Sequence, residues 1–555
     1  MLEALPSRSG ALTVSINGKL LHSMFDPHRE ARRFLSSKDF SGTSICVLVE
    51  PGLDYLSSVL SEEYPHLRTI SLHCADSIRP YTVSGNPSHY PADADTIQSF
   101  LSHHIEDHLI ANTSLLEWEP SAKAFGDDYR RLSREVYRFF RMRGATITTT
   151  GLFGRLWLSR RVRTFLGMLK LARPFAEQRP VVIAASGPSL EGVLPILAKH
   201  RPSFAVWALS SATASLAKAG IAPDIIFHTD AGYWAEHHLR KMWLEHPIPH
   251  TPHLTAPLLA APLTAAVPEE AASTFPRLLI ASESAVERFL LEDTDIPSLR
   301  IPSHGTVAGT ALYAALECTS ERVFFCGLDL AYRDIQPHAA GHAFSDVLLS
   351  ATHRFRPLHT IYYSRSPLAA GACETTADEH GSRWIQNEAL RTYEQWFAAR
   401  QHDGRFFRID PSPIRTPGFN TISSGEFVKY AATLPSIPRD DAARPALREA
   451  PDAETRTARL RELFRHIRSE TEKLGRTGDP AEAGAELLEN SLLHETAREC
   501  NTPAVLRFLR SPSAEDLLEL IDSLRRTTDY LESIVDSSAS CTTHQSYGAR
   551  THGTE

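Results

Sequence analysis

Val181-Val182-Ile183-Ala184-Ala185-Ser186-Gly187-Pro188-Ser189-Leu190 is the stretch on which the reading of this chain turns. Five apolar residues in a row make a strand buried on both faces, as strands of a parallel sheet are. A glycine turn follows, and SLEGVLPILAKH (189–200) opens at once as a helix. In an open sheet of this kind, ligands bind outside the carboxyl ends of the strands, and the free N–H groups of a helix start there suit a phosphate. Gly187 permits close approach to the backbone. Ser186 and Ser189 supply hydroxyls, and Pro188 fits the first helical turn, where no N–H is needed. The plainer alternative, a serine that merely caps the helix, fits the pattern equally well.

The alternation continues outward. FAVWAL (204–209), DIIFHTD (224–230), LLIAS (278–282) and RVFFCGLDL (322–330) read as strands, and ATASLAKAG (212–220), TVAGTALYAALE (306–317) and Trp384–Arg400 as helices. That spacing predicts an α/β layer fold with a parallel sheet, fading near Ile422. Upstream, Ile45–Val49, Asp54–Glu63 and Arg68–Leu72 form one strand–helix–strand unit, so a Rossmann-like N-terminal domain is expected. Its turn, EPGLD, has one glycine where a dinucleotide-gripping turn needs several, so no nucleotide site is expected there. Residues 97–176 are expected to be mostly helical. Within them LFGRLWLSRRVRTFLGMLKLARP reads as a packed helix with a solvated basic face in preference to a membrane-surface helix. Residues 434–455 read as a Pro- and charge-rich linker, and Arg456–Lys473, Ala481–Arg498 and Ala514–Val535 as a helical module. The expected division is 1–140, 141–433, 434–455, 456–536 and a disordered tail at 537–555.

Further chemistry gathers at the predicted strand ends. Ser303-His304-Gly305-Thr306 enters a small-residue helix and makes a second anion-friendly turn; close packing of that helix on the sheet is the plain alternative. Asp329 ends a strand, where a carboxylate can orient a ribose, bind a metal or cap a turn. Gln336-Pro337-His338-Ala339-Ala340-Gly341-His342 follows as a loop, a better setting for a catalytic imidazole than an apolar face. His228, Asp230, His237 and His238 show no metal-like spacing, so no metal site is expected.

Composition bounds the function. In 555 residues, 42% apolar and 22% charged, with a net charge of −8, a disordered chain, a fibre and a coiled-coil rod are excluded. Nucleic-acid binding, which needs clustered Lys and Arg, is not expected. Seven cysteines without a CxxC pair suggest reduced thiols. The N-terminus shows no signal-peptide pattern. The longest apolar stretch, 254–267, carries two prolines and falls short of the about 20 residues a bilayer needs. A soluble, cytoplasmic protein without a membrane partner is expected.

In their order and spacing, TTGLFGRLWLSRRV, IAASGPSLEG, LSSATASLAKAGIAPDIIFHTD, SHGTVAGTALYAALECTSERVFFCGLDLAYRD and PHAAGH resemble the motility accessory factor family, with its MptE-like central domain. The likeness runs from about Gly144 to Ile422 and is similar also to bacterial sialyltransferases. It implies a sialyltransferase-like, parallel-sheet catalytic domain between the N-terminal domain and the C-terminal helices. The implied activity is transfer of a nonulosonic, sialic-acid-like sugar from a CMP donor to Ser or Thr of flagellin. Flagellin and the CMP-nonulosonic acid are then the partners, with no further cofactor. The resemblance implies Ser186, Gly187, Pro188, Ser189, Asp230, Gly305, Thr306 and Asp329 as the donor-binding set. His338 is the implied base, with His342 as its rival. Two alternatives stand beside it: an MptE-like 6-hydroxymethylpterin pyrophosphokinase, which would need Mg²⁺, and a non-catalytic flagellin-binding protein.

Overall fold

The computed structural model describes residues 2–548 apart from 83–84, 246–255, 304, 372, 379–380, 399–403, 411, 413–415, 417 and 438–444. Two compact units divide the chain. The first holds 1–154, 473–490 and 497–524, and the second 155–472, 491–496 and 525–555.

In the first unit, Ile45–Val49 is buried at every residue, which fits a strand paired on both sides. It lies between Arg68–Leu72 and Thr113–Glu117, with Ser88–His89 beyond, all parallel. The helix Tyr55–Glu63 links the first two strands, as the Rossmann-like expectation had it. The strand Thr113–Glu117 lies inside the stretch expected to be mostly helical.

The second unit is built on an eleven-stranded sheet. Its order is Asn420–Ile422, Phe406–Ile409, Val323–Cys326, Val181–Ala184, Ala205–Leu209, Ile225–Phe227, Leu258–Ala261, Arg277–Ala281, Lys170–Ala172 and Leu447–Glu449, with Ser298–Arg300 also pairing Arg277–Ala281. Every pair is parallel except the last, Leu447–Glu449 on Lys170–Ala172. From Val181–Ala184 the chain steps outward through four strands on one side, then returns to place Val323–Cys326 on the other. Alternation along Val181–Ala185 splits the core in two. Val181, Ile183 and Ala185 join Trp207, Phe227 and the helix Val307–Cys318. Val182 and Ala184 join Leu190, Val193, Leu197 and Phe324 on the opposite face. Each such side chain fully buried is worth about 1.5–3 kcal/mol.

Several expectations shift. The basic helix read over LFGRLWLSRRVRTFLGMLKLARP (152–174) stops at Leu166, where Gly167 follows, and Lys170–Ala172 becomes a sheet strand. Its buried Leu158, Val162 and Phe165 agree with a packed helix. The apolar stretch at 254–267 supplies the buried strand Leu258–Ala261, and no described helix is long and apolar enough to cross a membrane. The 434–455 stretch, expected as a linker, contributes the edge strand Leu447–Glu449. Four C-terminal helices follow where three were expected: Ala453–Arg476, Pro480–Glu489, Ser491–Arg510 and Ala514–Gly548. They divide between the two units, and the segment expected as a disordered tail is helical as far as Gly548.

Candidate active site

Strand order alone locates the site. At Val181–Ala184 the chain's direction of travel across the sheet reverses, and in open sheets ligands bind outside the carboxyl ends of the strands at such a switch point, here this strand and Val323–Cys326. Both ends turn on glycine. Gly187 donates its N–H to the Gly327 carbonyl at 2.8 Å. A β-carbon on Gly187 would strike that carbonyl and the Asp329 carboxylate, and one on Gly327, at φ +67°, would strike the Ala185 carbonyl. Gly187 therefore admits the neighbouring strand end, where close approach of a ligand was expected.

Asp329 reaches across the switch point to Ser189. Its Oδ2 accepts the Ser189 N–H at 2.7 Å and its Oδ1 accepts the Ser189 hydroxyl. The carboxylate is 2% exposed; burial raises its pKa, and the hydrogen bonds from Ser189 and the charge of Arg408 act against that rise. The next N–H groups of the turn, Leu190, Glu191 and Gly192, bond the carbonyls of Gly187, Pro188 and Ser189. The free N–H groups expected here for a phosphate are thus occupied, with the Asp329 carboxylate in the anion's place. Pro188 is buried in the turn.

The second expected turn differs. Thr306 caps Val307–Cys318, its hydroxyl accepting the Gly309 N–H at 2.9 Å. Gly305 is exposed, and among the described residues no partner takes the N–H groups of Val307 and Ala308. His304 lies outside the described residues. The helix also packs on the sheet through Ala308, Ala311 and Ala315, so the structural alternative and an open N-terminus coexist.

The histidine loop folds back onto the crevice. His338 Nδ1 lies 3.2 Å from the Ser186 hydroxyl, and the Ala339 N–H bonds the Ser186 carbonyl at 2.8 Å. His338 stacks on His342, with centroids 3.9 Å apart, and His342 meets His238 edge-on at 4.8 Å. Burial pushes His338 down to about 4, with a Ser186 hydrogen bond opposing, and His238 down to about 3. His342 is lowered as well, by burial and then by the neighbouring imidazoles and Lys241. His342 Nδ1 accepts the Phe344 N–H at 3.2 Å and caps Ala343–Ser350, so it props the loop.

Glu191 and Arg333, which were not singled out in the sequence, hold this loop together with Gln336. Glu191 accepts from Arg333 at 2.7 Å, from Gln336 at 3.0 Å and from the Ala340 N–H at 2.8 Å. Gln336 also donates to the His338 carbonyl at 2.7 Å. A carboxylate in the first turn of a helix is so ordinary that only its place two residues after Ser189 marked it.

Asp230 stands apart, exposed at the end of Ile225–Phe227 and accepting the Gly232 N–H at 2.7 Å. His228 is buried and donates to the Ala266 carbonyl. Among the described residues no group of His, Cys, Asp and Glu is placed to hold a metal ion.

Comparison with known proteins bears on the family and the fold. A family model described as 6-hydroxymethylpterin diphosphokinase MptE-like matches residues 160–334. An uncharacterized protein of Treponema pallidum (strain Nichols) is 27% identical over 372 residues, covering 66% of this chain and 76% of its own. The structure of the MAf glycosyltransferase from Magnetospirillum magneticum AMB-1 matches with a TM-score of 0.55 at 13% identity, over 96% of this chain and 92% of that one. The resemblance carried by the motifs is supported twice, by the MptE-like model in the central region and by the fold along nearly the whole chain.

Proposed function

We propose that the chain is a glycosyltransferase. Its donor is a CMP-activated nonulosonic acid, and its acceptor is a serine or threonine hydroxyl of flagellin. The observation that carries this reading is the topological switch point, with the His338 imidazole held 3.2 Å from the Ser186 hydroxyl at one strand end. The matched fold of a glycosyltransferase supports it.

In this reading the CMP phosphate sits at the Thr306 helix start, where Gly305 leaves the backbone open and the Val307 and Ala308 N–H groups have no partner among the described residues. The bond from sugar C2 to the phosphate oxygen breaks, and the acceptor oxygen bonds C2. The leaving CMP keeps the electron pair, steadied by those N–H groups. His338 takes the acceptor proton as a neutral imidazole, a weaker base than a free one because burial lowers its pKa to about 4. Ser186 orients its ring. Asp329 and Ser189 brace the turn beneath, and Asp230, two strands away on the same carboxyl edge of the sheet, meets the donor. The reaction needs no further cofactor.

A thermal-shift series with CMP, UMP, GMP and ATP, with and without Mg²⁺, tests the reading. A ligand that binds only the folded protein adds about 2.7 kcal/mol at a hundred times its dissociation constant. Stabilisation by CMP alone, followed by sugar transfer to flagellin, is the expected result. Stabilisation by ATP with Mg²⁺ and not by CMP would replace it with pyrophosphoryl transfer, which the MptE-like match favours.

A further inference from the structure

A second cleft opens at the same sheet edge, four strands away from Val181–Ala184. Its volume is about 640 Å³, within the range of small-molecule sites. Ala281–Glu283 and Ile301–Pro302 line it from the ends of the paired parallel strands Arg277–Ala281 and Ser298–Arg300. It lies outside the carboxyl ends of these two parallel strands, the edge at which ligands bind in open sheets.

The frame of this cleft is already satisfied. Glu287, 1% exposed, accepts the Ser282 N–H at 2.8 Å and the Ser282 hydroxyl at 2.7 Å. The charged groups on its walls are not. Arg288, Arg300, Glu283 and Glu292, all exposed, line it, and among the described residues none has a side-chain hydrogen bond or ion pair. Ile296 and Ile301, both buried, and half-buried Leu291 supply an apolar floor. Two guanidinium groups offer paired donors to a carboxylate. Two carboxylates accept from hydroxyls, and the floor takes a C–H face. A polyhydroxylated ring bearing one carboxylate answers all three.

We propose that this cleft is a second ligand site, for a sugar acid, distinct from the switch-point crevice. Its occupant arrives free in solution or already attached to a glycosylated polypeptide, and the chemistry recognised is the same. The inference does not depend on CMP binding at the crevice.

Saturation-transfer NMR on the full chain tests it. The probes are free N-acetylneuraminic acid, neutral N-acetylglucosamine, inorganic phosphate and a sialylated glycopeptide. The expected result is saturable binding of the acid sugar, weakened at least tenfold in the Arg288→Ala, Arg300→Ala double variant and untouched by excess CMP. Binding of the glycopeptide alone would support the site and assign the attached source. Displacement by CMP, an unaffected double variant, equal binding of N-acetylglucosamine or phosphate, or no saturable binding of either acid sugar would each overturn the proposal. Both arginines are exposed, so an unchanged melting temperature separates lost binding from lost fold.

Discussion

Asp329 holds Ser189 by both its backbone N–H and its hydroxyl, joining two strand ends that are 140 residues apart in the chain. The bond fixes the floor of the crevice before any ligand arrives. Asp329→Ala would leave the Ser189 N–H buried without an acceptor, a loss of about 1–3 kcal/mol. Urea unfolding of Asp329→Ala beside Ser189→Ala checks this. The serine variant keeps the N–H bond and should lose less.

The two loop histidines separate by experiment. His338→Ala should lower sugar transfer by about 10²–10⁴ while CMP affinity stays within a few-fold. His342→Ala should cost about 1 kcal/mol of stability through its lost cap, with a milder effect on the chemistry. Transfer kinetics and denaturation on both variants decide it. A His338→Ala protein with near wild-type transfer would remove His338 from the reaction.

Glu191 acts through the loop it tethers. Glu191→Ala should reduce kcat by at least tenfold with little change in the CMP dissociation constant, because Ala340, Gln336 and Arg333 lose their shared acceptor. Glu191→Gln keeps one carbonyl oxygen for the Ala340 N–H and should recover part of the rate. Equal losses in both variants would argue against a positioning role.

Stability should depend on pH through the buried imidazoles. His338 and His228 are lowered to about 4 and His238 to about 3. Between pH 6.5 and these values the unfolded chain binds protons that the folded one refuses. Stability is therefore flat above pH 7 and falls as pH drops below 6.5, by about 1.4 kcal/mol per unit for each histidine. Guanidinium midpoints from pH 7.5 to 4.5 measure the slope, and His238→Phe should make it shallower.

The central strands were legible because parallel strands are buried on both faces: VVIA, AVWAL and VFFC print that burial as unbroken apolar runs. Short edge strands print nothing. Leu447–Glu449 is exposed at two of its three residues, so only its partner Lys170–Ala172 marks it as a strand. At the site, the glycine turn and the histidine loop were visible as motifs. The Asp329–Ser189 bond was not, because it joins residues distant in sequence, and for that reason the N–H groups expected to be open at this turn are occupied. The same limit hid Glu191, whose partners lie 142 to 149 residues away.

That separation also sets a schedule for synthesis. The strand Val181–Ala184 leaves the ribosome well before Val323–Cys326, its neighbour on one side. At about 5–20 residues per second, the 140 residues between Ser189 and Asp329 take roughly 7–28 s to make. For that interval the nascent chain carries a half-paired apolar strand, the kind of edge that invites pairing with other chains. Co-translational chaperone engagement should therefore peak between the emergence of these two strands, and slowing translation within 190–322 should lower the soluble yield.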